Sequence, residues 1–276
     1  MSSRMKKDLE GSNLDQNLIQ QANLMPKGMI GVGNNGRPFM DYQLFNAYKA
    51  GYKEVVIVVN IKDQVTRPYF EQQMLANKAW GLNIKYAIQH IPHDREKPLG
   101  TADGVQQALE QHPEWENSKF TVCNSDNLYS VNVLKLLLDN PYPAGLISYE
   151  ASGLGFGMDK VKNCAILFTN QAGFLKEIIE KPEDEQVEMC IQQVGRLGIS
   201  MNIFSMEYGL GLKYMSTQMV NAARNEKELP EAIGRMAAEN ENTVMTFPVA
   251  EAIPDLTSKA DIAEVQNYLK TNYPEL

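Results

Sequence analysis

Three short strings in this chain have the residue types and spacing of phosphate and metal chemistry. The first is Val122-Cys123-Asn124-Ser125-Asp126-Asn127, where a buried-looking strand runs into a carboxylate. An aspartate just past the carboxyl end of a strand in an open α/β sheet sits where ligands bind. It suits Mg²⁺, which takes one or two carboxylates and completes its shell with phosphate oxygens. Asp255, a short loop beyond the strand-like Val244 to Val249, could be the second carboxylate. The second string is Lys97-Pro98-Leu99-Gly100-Thr101-Ala102-Asp103, a glycine between a strand and a helix. Such a glycine admits a flat ligand close to the backbone, and the helix start offers free N–H groups. A plain turn with Thr101 as N-cap explains it equally well. The third is Ile178-Ile179-Glu180-Lys181-Pro182, an acid and a base that read either as site residues or as a surface pair.

Two further patterns are weaker. Gly31-Val32-Gly33-Asn34-Asn35-Gly36 fits G-x-G-x-x-G, which binds dinucleotides when it follows a strand and opens a helix. Only Met29 and Ile30 are apolar ahead of it, and Arg37-Pro38 precede the helix, so a glycine- and asparagine-rich loop is the plainer reading. His90 and His93 lie on a proline-containing segment without a carboxylate or cysteine at ligand spacing.

The elements that must carry these strings alternate between strand and helix. Val55 to Val59 is a continuous β-branched run, the signature of a strand covered on both faces. The helix Asp41 to Ala50 precedes it and ends at Gly51. Ile84–Gln89, Phe120–Asn124 and Leu146–Tyr149 read as strands, and Thr101–Gln111 and Val131–Leu138 as helices, the latter capped by Ser130. After residue 150 the pattern changes to a hairpin, Cys164–Phe168 and Phe174–Ile179, followed by a strand near Ile199–Phe204. Helices follow at Tyr208–Arg224 and Glu231–Glu239, then the strand Val244–Val249 and a last helix whose start carries Ser258 and Asp261 at capping-box spacing. These elements predict a single α/β domain with an antiparallel excursion after residue 150.

Composition narrows the partners. The 276 residues carry 26 Lys and Arg against 34 Asp and Glu, a net charge of −8, with 43% apolar and 22% charged residues. This is globular composition, and its sign disfavours nucleic acid. No apolar run reaches the ~18 residues of a membrane helix, the first ten residues are polar, and the three cysteines are widely spaced. A reduced, cytoplasmic protein is the simplest expectation. Oligomeric state is left open, a homo-oligomer included.

Taken in order, Arg37-Pro38-Phe39-Met40-Asp41-Tyr42, Ala50-Gly51-Tyr52, Pro98-Leu99-Gly100-Thr101-Ala102, Ser125-Asp126-Asn127 and Glu180-Lys181-Pro182 resemble the sugar nucleotidyltransferases over nearly the whole chain. The resemblance implies a Rossmann-like three-layer fold with a mostly parallel mixed central sheet, residues 1–150 binding the nucleotide and 151–276 the sugar phosphate. It implies a nucleoside triphosphate and a sugar 1-phosphate as substrates, and Mg²⁺ at Asp126 and Asp255. Arg4 and Lys27 would hold the triphosphate, Lys181 the sugar phosphate and Glu180 the sugar hydroxyls, with Gln89, Gly100 and Thr101 on the nucleotide side. The family opens on a strand and a glycine-rich phosphate loop. Here Met1 to Lys6 matches only the tail of that loop, which implies an N-terminally shortened form, an insert over Gly11–Asn23 and two unpaired sheet edges. Two rivals follow: a non-catalytic nucleotide- or sugar-phosphate-binding relative, and an NAD(P)-dependent oxidoreductase built on the Gly31 to Gly36 motif.

Overall fold

The computed structural model describes residue 5 and residues 15–154 and 161–276. Strands β1 (Glu54–Asn60) and β2 (Asn83–Gln89) pair in parallel, from Glu54 opposite Asn83 to Asn60 opposite Gln89, and form a sheet of their own. A seven-stranded sheet holds β3 (Lys119–Cys123), β4 (Ala144–Glu150), β5 (Ala165–Thr169), β6 (Leu175–Glu180), β7 (Gly198–Ser200), β8 (Ile203–Glu207) and β9 (Val244–Val249). Its order is β3-β8-β4-β7-β5-β6, with β9 on β4. β9 is parallel to β4 and the other pairings are antiparallel. β3, β4, β5 and β9 therefore run one way, and β6, β7 and β8 the other.

Side-chain alternation divides the large sheet's two faces. Leu146, Phe204 and Met206 pack with Ala102, Val105 and Leu109 of helix α4 (Thr101–Gln111). Ile147, Tyr149 and Ile203 pack on the opposite face with Val133, Leu134 and Leu137 of α5 (Val131–Leu138). Helices thus cover both faces of a mixed sheet, the three-layer α/β arrangement that the resemblance implies, but among the described residues its pairings are mostly antiparallel rather than mostly parallel, because β6, β7 and β8 run against the other four strands.

Helix α2 (Phe39–Ala50) ends as expected at Gly51, whose φ of 107° is the left-handed conformation open to glycine. The Ser130 hydroxyl accepts from the Val133 N–H at the start of α5. Ser258 and Asp261 form their capping box around a short 3₁₀ turn ahead of the final helix, Ile262–Asn272.

Three expectations change. β1 is not covered on both faces: only Ile57 is buried and Val58 is 42% exposed. β4 has the fully buried character instead. The helix read over Tyr208–Arg224 stops at Ser216, and the chain then forms a loop bridged at Asn221 and Glu226. Gly31–Gly36 is a loop, as its plainer reading expects, and lies neither behind a strand nor at the start of a helix. A 3₁₀ turn (Lys27–Met29) precedes it, a second (Asn34–Gly36) lies within it, and a Cβ on Gly33 would run into the Tyr42 ring. That removes the geometric basis of the dinucleotide-binding reading. Finally, helices at Gln16–Leu24, Thr66–Leu75 and Asp184–Val194 were not expected from the pattern.

Candidate functional site

Past Cys123 the chain turns through Asn124–Asn127, and α2 holds that turn from below. Gln43 Nε2 donates to the carbonyls of Asn124, at 2.9 Å, and Asn127. Asn46, only 1% exposed, donates at 2.8 Å to the Tyr129 carbonyl, and the Tyr129 hydroxyl donates at 2.7 Å to that of Met201. On the other side, Leu128 N–H bonds Pro254 O at 2.9 Å and Leu256 N–H bonds Asp126 O at 2.7 Å, with an antiparallel bridge between Asn127 and Asp255. The two loops run side by side, which makes Asp126 and Asp255 neighbours.

Lys27 completes this group. Its Nζ lies 2.8 Å from Asp126 Oδ2, with the side chains only 14% and 24% exposed. Gly28 permits the approach: a Cβ there would lie 3.1 Å from the Ser125 carbonyl and 2.8 Å from Met40 Cε. Burial pushes the Asp255 carboxyl above the usual carboxylate range; the hydrogen bond from Thr257 opposes this, the Asp126 and Asp261 charges add to it and Lys27 again opposes it. Two half-buried carboxylates against one ammonium leave net negative charge that a divalent cation would neutralise. Among the described residues no group of three or more His, Cys, Asp or Glu forms a metal cluster. A carboxylate pair with phosphate oxygens completing the shell is a magnesium-type donor set, so these residues fit that ion.

The Gly100 turn is tied to a distant loop. Gly100 has φ 126° and is itself the N-cap of α4, so Thr101 is the first helical residue, not the cap. The space a Cβ would take belongs to the Lys227 backbone, whose N–H bonds Leu99 O at 2.6 Å and whose carbonyl accepts from Ala102 at 3.0 Å. Thr101 Oγ1 accepts from Leu229 N–H at 2.9 Å, satisfying an open donor at the start of helix α9 (Leu229–Glu239). The side of Gly100 expected to be open to a ligand is therefore closed by the chain itself. Gln89 Nε2 donates to Gly100 O at 2.9 Å and to Asp103 Oδ2 at 2.8 Å, so its amide hydrogens are already used in bracing this turn.

Strand register brings the third string to the same break in the sheet. Cys123 pairs with Ile203, Ser200 with Ala165, and Ala165 with Glu180, so the end of β3 and the end of β6 lie on either side of the Met201-Asn202 interruption between β7 and β8. Lys181 follows with φ 50°, a left-handed conformation uncommon for a side chain of this type and held here between β6 and Pro182. Glu180 Oε2 lies 3.3 Å from Arg224, which also pairs with Glu228 at 2.6 Å. Beside Glu180 a surface cavity of about 390 Å³ opens between β6 and α9, lined in part by Lys176, Ile178, Glu231 and Arg235.

The structure thus brings Lys27, Asp126 and Asp255 into one group, joins Gln89, Gly100 and Thr101 in another, and sets Glu180 and Lys181 further along the rim. Arg4 lies outside the described residues. Sequence reasoning missed Gln43, Asn46, Arg224 and Lys227. For Gln43 and Asn46 a signal existed: amides three apart in an otherwise apolar stretch of helix, whose partners had to be found elsewhere in the fold.

A three-layer α/β sheet with paired carboxylates and cations on one rim defines a protein suited to metal-assisted phosphate chemistry. The chain belongs to the nucleotidyl transferase family, whose profile matches residues 22–271. It is 29% identical over 115 residues to a D-glycero-alpha-D-manno-heptose 1-phosphate guanylyltransferase of Campylobacter jejuni, covering 42% of this chain and 44% of that protein. It is 25% identical over 162 residues to the UTP–glucose-1-phosphate uridylyltransferase AglF of Haloferax volcanii, covering 58% of each. The matches therefore span about half the length of these two relatives. Among solved structures, a UDP-glucose pyrophosphorylase complexed with UDP-glucose aligns with a TM-score of 0.65 at 16% identity, over 93% of this chain and 95% of that one. HddC from Yersinia pseudotuberculosis aligns with a TM-score of 0.59 at 15% identity, over 89% and 91%. These two show the fold.

Proposed function

We propose that the chain transfers a nucleotidyl group from a nucleoside triphosphate to a sugar 1-phosphate and releases pyrophosphate, with Mg²⁺ as the metal and a reducing, cytoplasmic setting. An oxygen of the sugar phosphate bonds to the α-phosphorus as the bond from that phosphorus to the pyrophosphate oxygen breaks. The attacking group is already an anion, so the protein's task is to bring two anions together and hold them in line. Mg²⁺ at Asp126 and Asp255 would supply charge neutralisation for the phosphates. Lys27 would add a second positive charge there, and Arg4 a third. Lys181 would hold the sugar phosphate and Glu180 would accept hydrogen bonds from sugar hydroxyls. The turn at Gln89, Gly100 and Thr101 would border the nucleobase, dividing the chain into a nucleotide half (1–150) and an acceptor half (151–276).

One observation carries this reading: Lys27, Asp126 and Asp255 converge from three separate segments at the rim of the sheet. The relatives' names, a guanylyltransferase and a uridylyltransferase, set the assay. The chain is incubated with Mg²⁺, each of the four nucleoside triphosphates and a panel of hexose and heptose 1-phosphates, and pyrophosphate is followed. We expect release with one pairing, lost on chelation and reduced at least ~100-fold in Asp126→Asn. Tight nucleotide binding with no pyrophosphate from any pairing would replace this reading with that of a non-catalytic binding relative.

A further inference from the structure

The large sheet forks beside the Asp126 loop. From Gly198 to Glu207 the chain keeps β4 on one edge, with Ile199 opposite Tyr149 and Phe204 opposite Leu146. Its other edge pairs first with β5 and then with β3, so these two strands part at Met201-Asn202. One arm of the fork leads through Cys123 to Asp126. The other carries Glu180, which lies two strand spacings, about 10 Å, across from Ser200. Asn202 stands where the arms divide. Met201 and Ile203, on either side of it, are buried in the α5-side core. The Tyr129 hydroxyl meets the Met201 and Asn202 carbonyls at 2.7 and 3.4 Å, and Asn202 N–H donates to Ser200 Oγ at 3.3 Å. These contacts hold the Asn202 backbone at φ 55°.

An asparagine at positive φ needs no further explanation where its side chain is solvated, because Asn tolerates the left-handed region. Asn35, Asn77, Asn117, Asn225 and Asn242 are of that kind: each has φ between 54° and 66°, and each is exposed. Asn202 differs. It is half-buried, its Oδ1 is buried without a partner, and its Nδ2 donates to no other group among the described residues. Burying an unpartnered amide oxygen is destabilising, and a donor from outside the chain would relieve it. Rotation about the Cβ–Cγ bond is soft, which lets either end of the amide turn toward the fork. A phosphate oxygen only accepts and cannot satisfy a carbonyl, whereas a hydroxyl donates and accepts at once. We infer that Asn202 is a specificity-determining residue of the acceptor site, its amide exchanging hydrogen bonds with one hydroxyl of the sugar. The inference rests on the proposed transfer to a sugar 1-phosphate, and it adds a neutral reader of hydroxyls to the carboxylate of Glu180.

The test is Asn202→Gly, which suits a φ of 55° and deletes the amide. Binding of hexose and heptose 1-phosphates, and of the monodeoxy analogues of the tightest one, is titrated calorimetrically with metal chelated, with and without nucleoside triphosphate. The wild type should bind one monodeoxy analogue about 3–10-fold more weakly than the parent sugar, and Asn202→Gly should bind the parent and that analogue alike. Discrimination at the other ring positions, triphosphate affinity and the thermal midpoint should stay as in the wild type. Equal weakening of the parent and every analogue by Asn202→Gly, which a merely structural role at the fork produces, would overturn the inference. So would unchanged discrimination, or a wild type that binds none of the panel. A wild type that shows this binding pattern but releases no pyrophosphate once Mg²⁺ is restored would refute the proposed transfer and leave Asn202 in its role, so the two fail separately.

Discussion

Replacing Lys27 by methionine removes its charge and keeps most of its stem, which makes it the cleanest probe of the rim cluster. At 2.8 Å and an effective dielectric constant near 20, the gross attraction to Asp126 is about 6 kcal/mol. Both ends are mostly buried, so desolvation cancels a large part, and a net contribution of about 1–3 kcal/mol remains. For a chain of this size that corresponds to a fall in Tm of roughly 3–10 °C. The measurement is thermal unfolding at pH 7, without nucleotide or metal, of the wild type, Lys27→Met, Asp126→Asn and the double variant. If the pair is the source of the loss, the double variant should be less destabilised than the sum of the singles by about 1–3 kcal/mol. Mg²⁺ should then raise the Tm of Lys27→Met more than that of the wild type, because the uncompensated carboxylates at Asp126 and Asp255 gain most from a cation. A coupling under ~0.5 kcal/mol, the scatter expected of independent sites, would refute the argument, as would a Tm of Lys27→Met indifferent to Mg²⁺.

Two further outcomes follow from the same geometry. The Asp255 carboxyl titrates above its ordinary 3.8, so the folded chain retains a proton that the unfolded chain has lost, and wild-type stability falls as pH rises through that window. Asp255→Asn should therefore show a higher Tm than wild type at pH 7, no difference below about pH 3.8, and no stabilisation by Mg²⁺; a lower Tm at pH 7 would show the charge to be stabilising. Gly100→Ala sets a side chain at φ 126° and drives its Cβ into the Lys227 carbonyl, so it should cost about 2–4 kcal/mol, or roughly 5–10 °C in Tm, and an unchanged melting curve would disprove the clasp between these segments.

The elements most legible in the sequence were those whose signal is local. Val55–Val59, Val244–Val249, the hairpin around Asn170–Gly173 and the Gly51 and Ser130 caps follow from β-branched runs, turn residues and capping chemistry within a few positions. The helices at Gln16–Leu24 and Thr66–Leu75 carry few buried residues, so their apolar stripe was too thin to detect. Asp184–Val194 starts at a capping box of Glu183 and Gln186 rather than one opened by serine or threonine. Tyr208–Arg224 has continuous helix-compatible residues, and the stop after Ser216 comes from contacts of the following loop with Glu231 and Gly100's neighbours, far away in sequence. The site shows the same division. Asp126 could be placed at a strand's end from its own string, but its brace on Gln43 spans more than eighty residues, and the closure of Gly100 by Lys227 spans more than a hundred. Burial of β1 was misjudged because a buried run reports the faces that a strand is able to cover, and exposure at Val58 depends on which neighbours the fold supplies.

The segment Gly198–Glu207 is interrupted at Met201-Asn202, where Asn202 takes φ 55° and Tyr129 grips the Met201 carbonyl. Its first part lies alongside β5, which leads across to Glu180, and its second part alongside β3, which leads to Asp126. A single kinked stretch of backbone therefore sets how far apart the two rim groups stand.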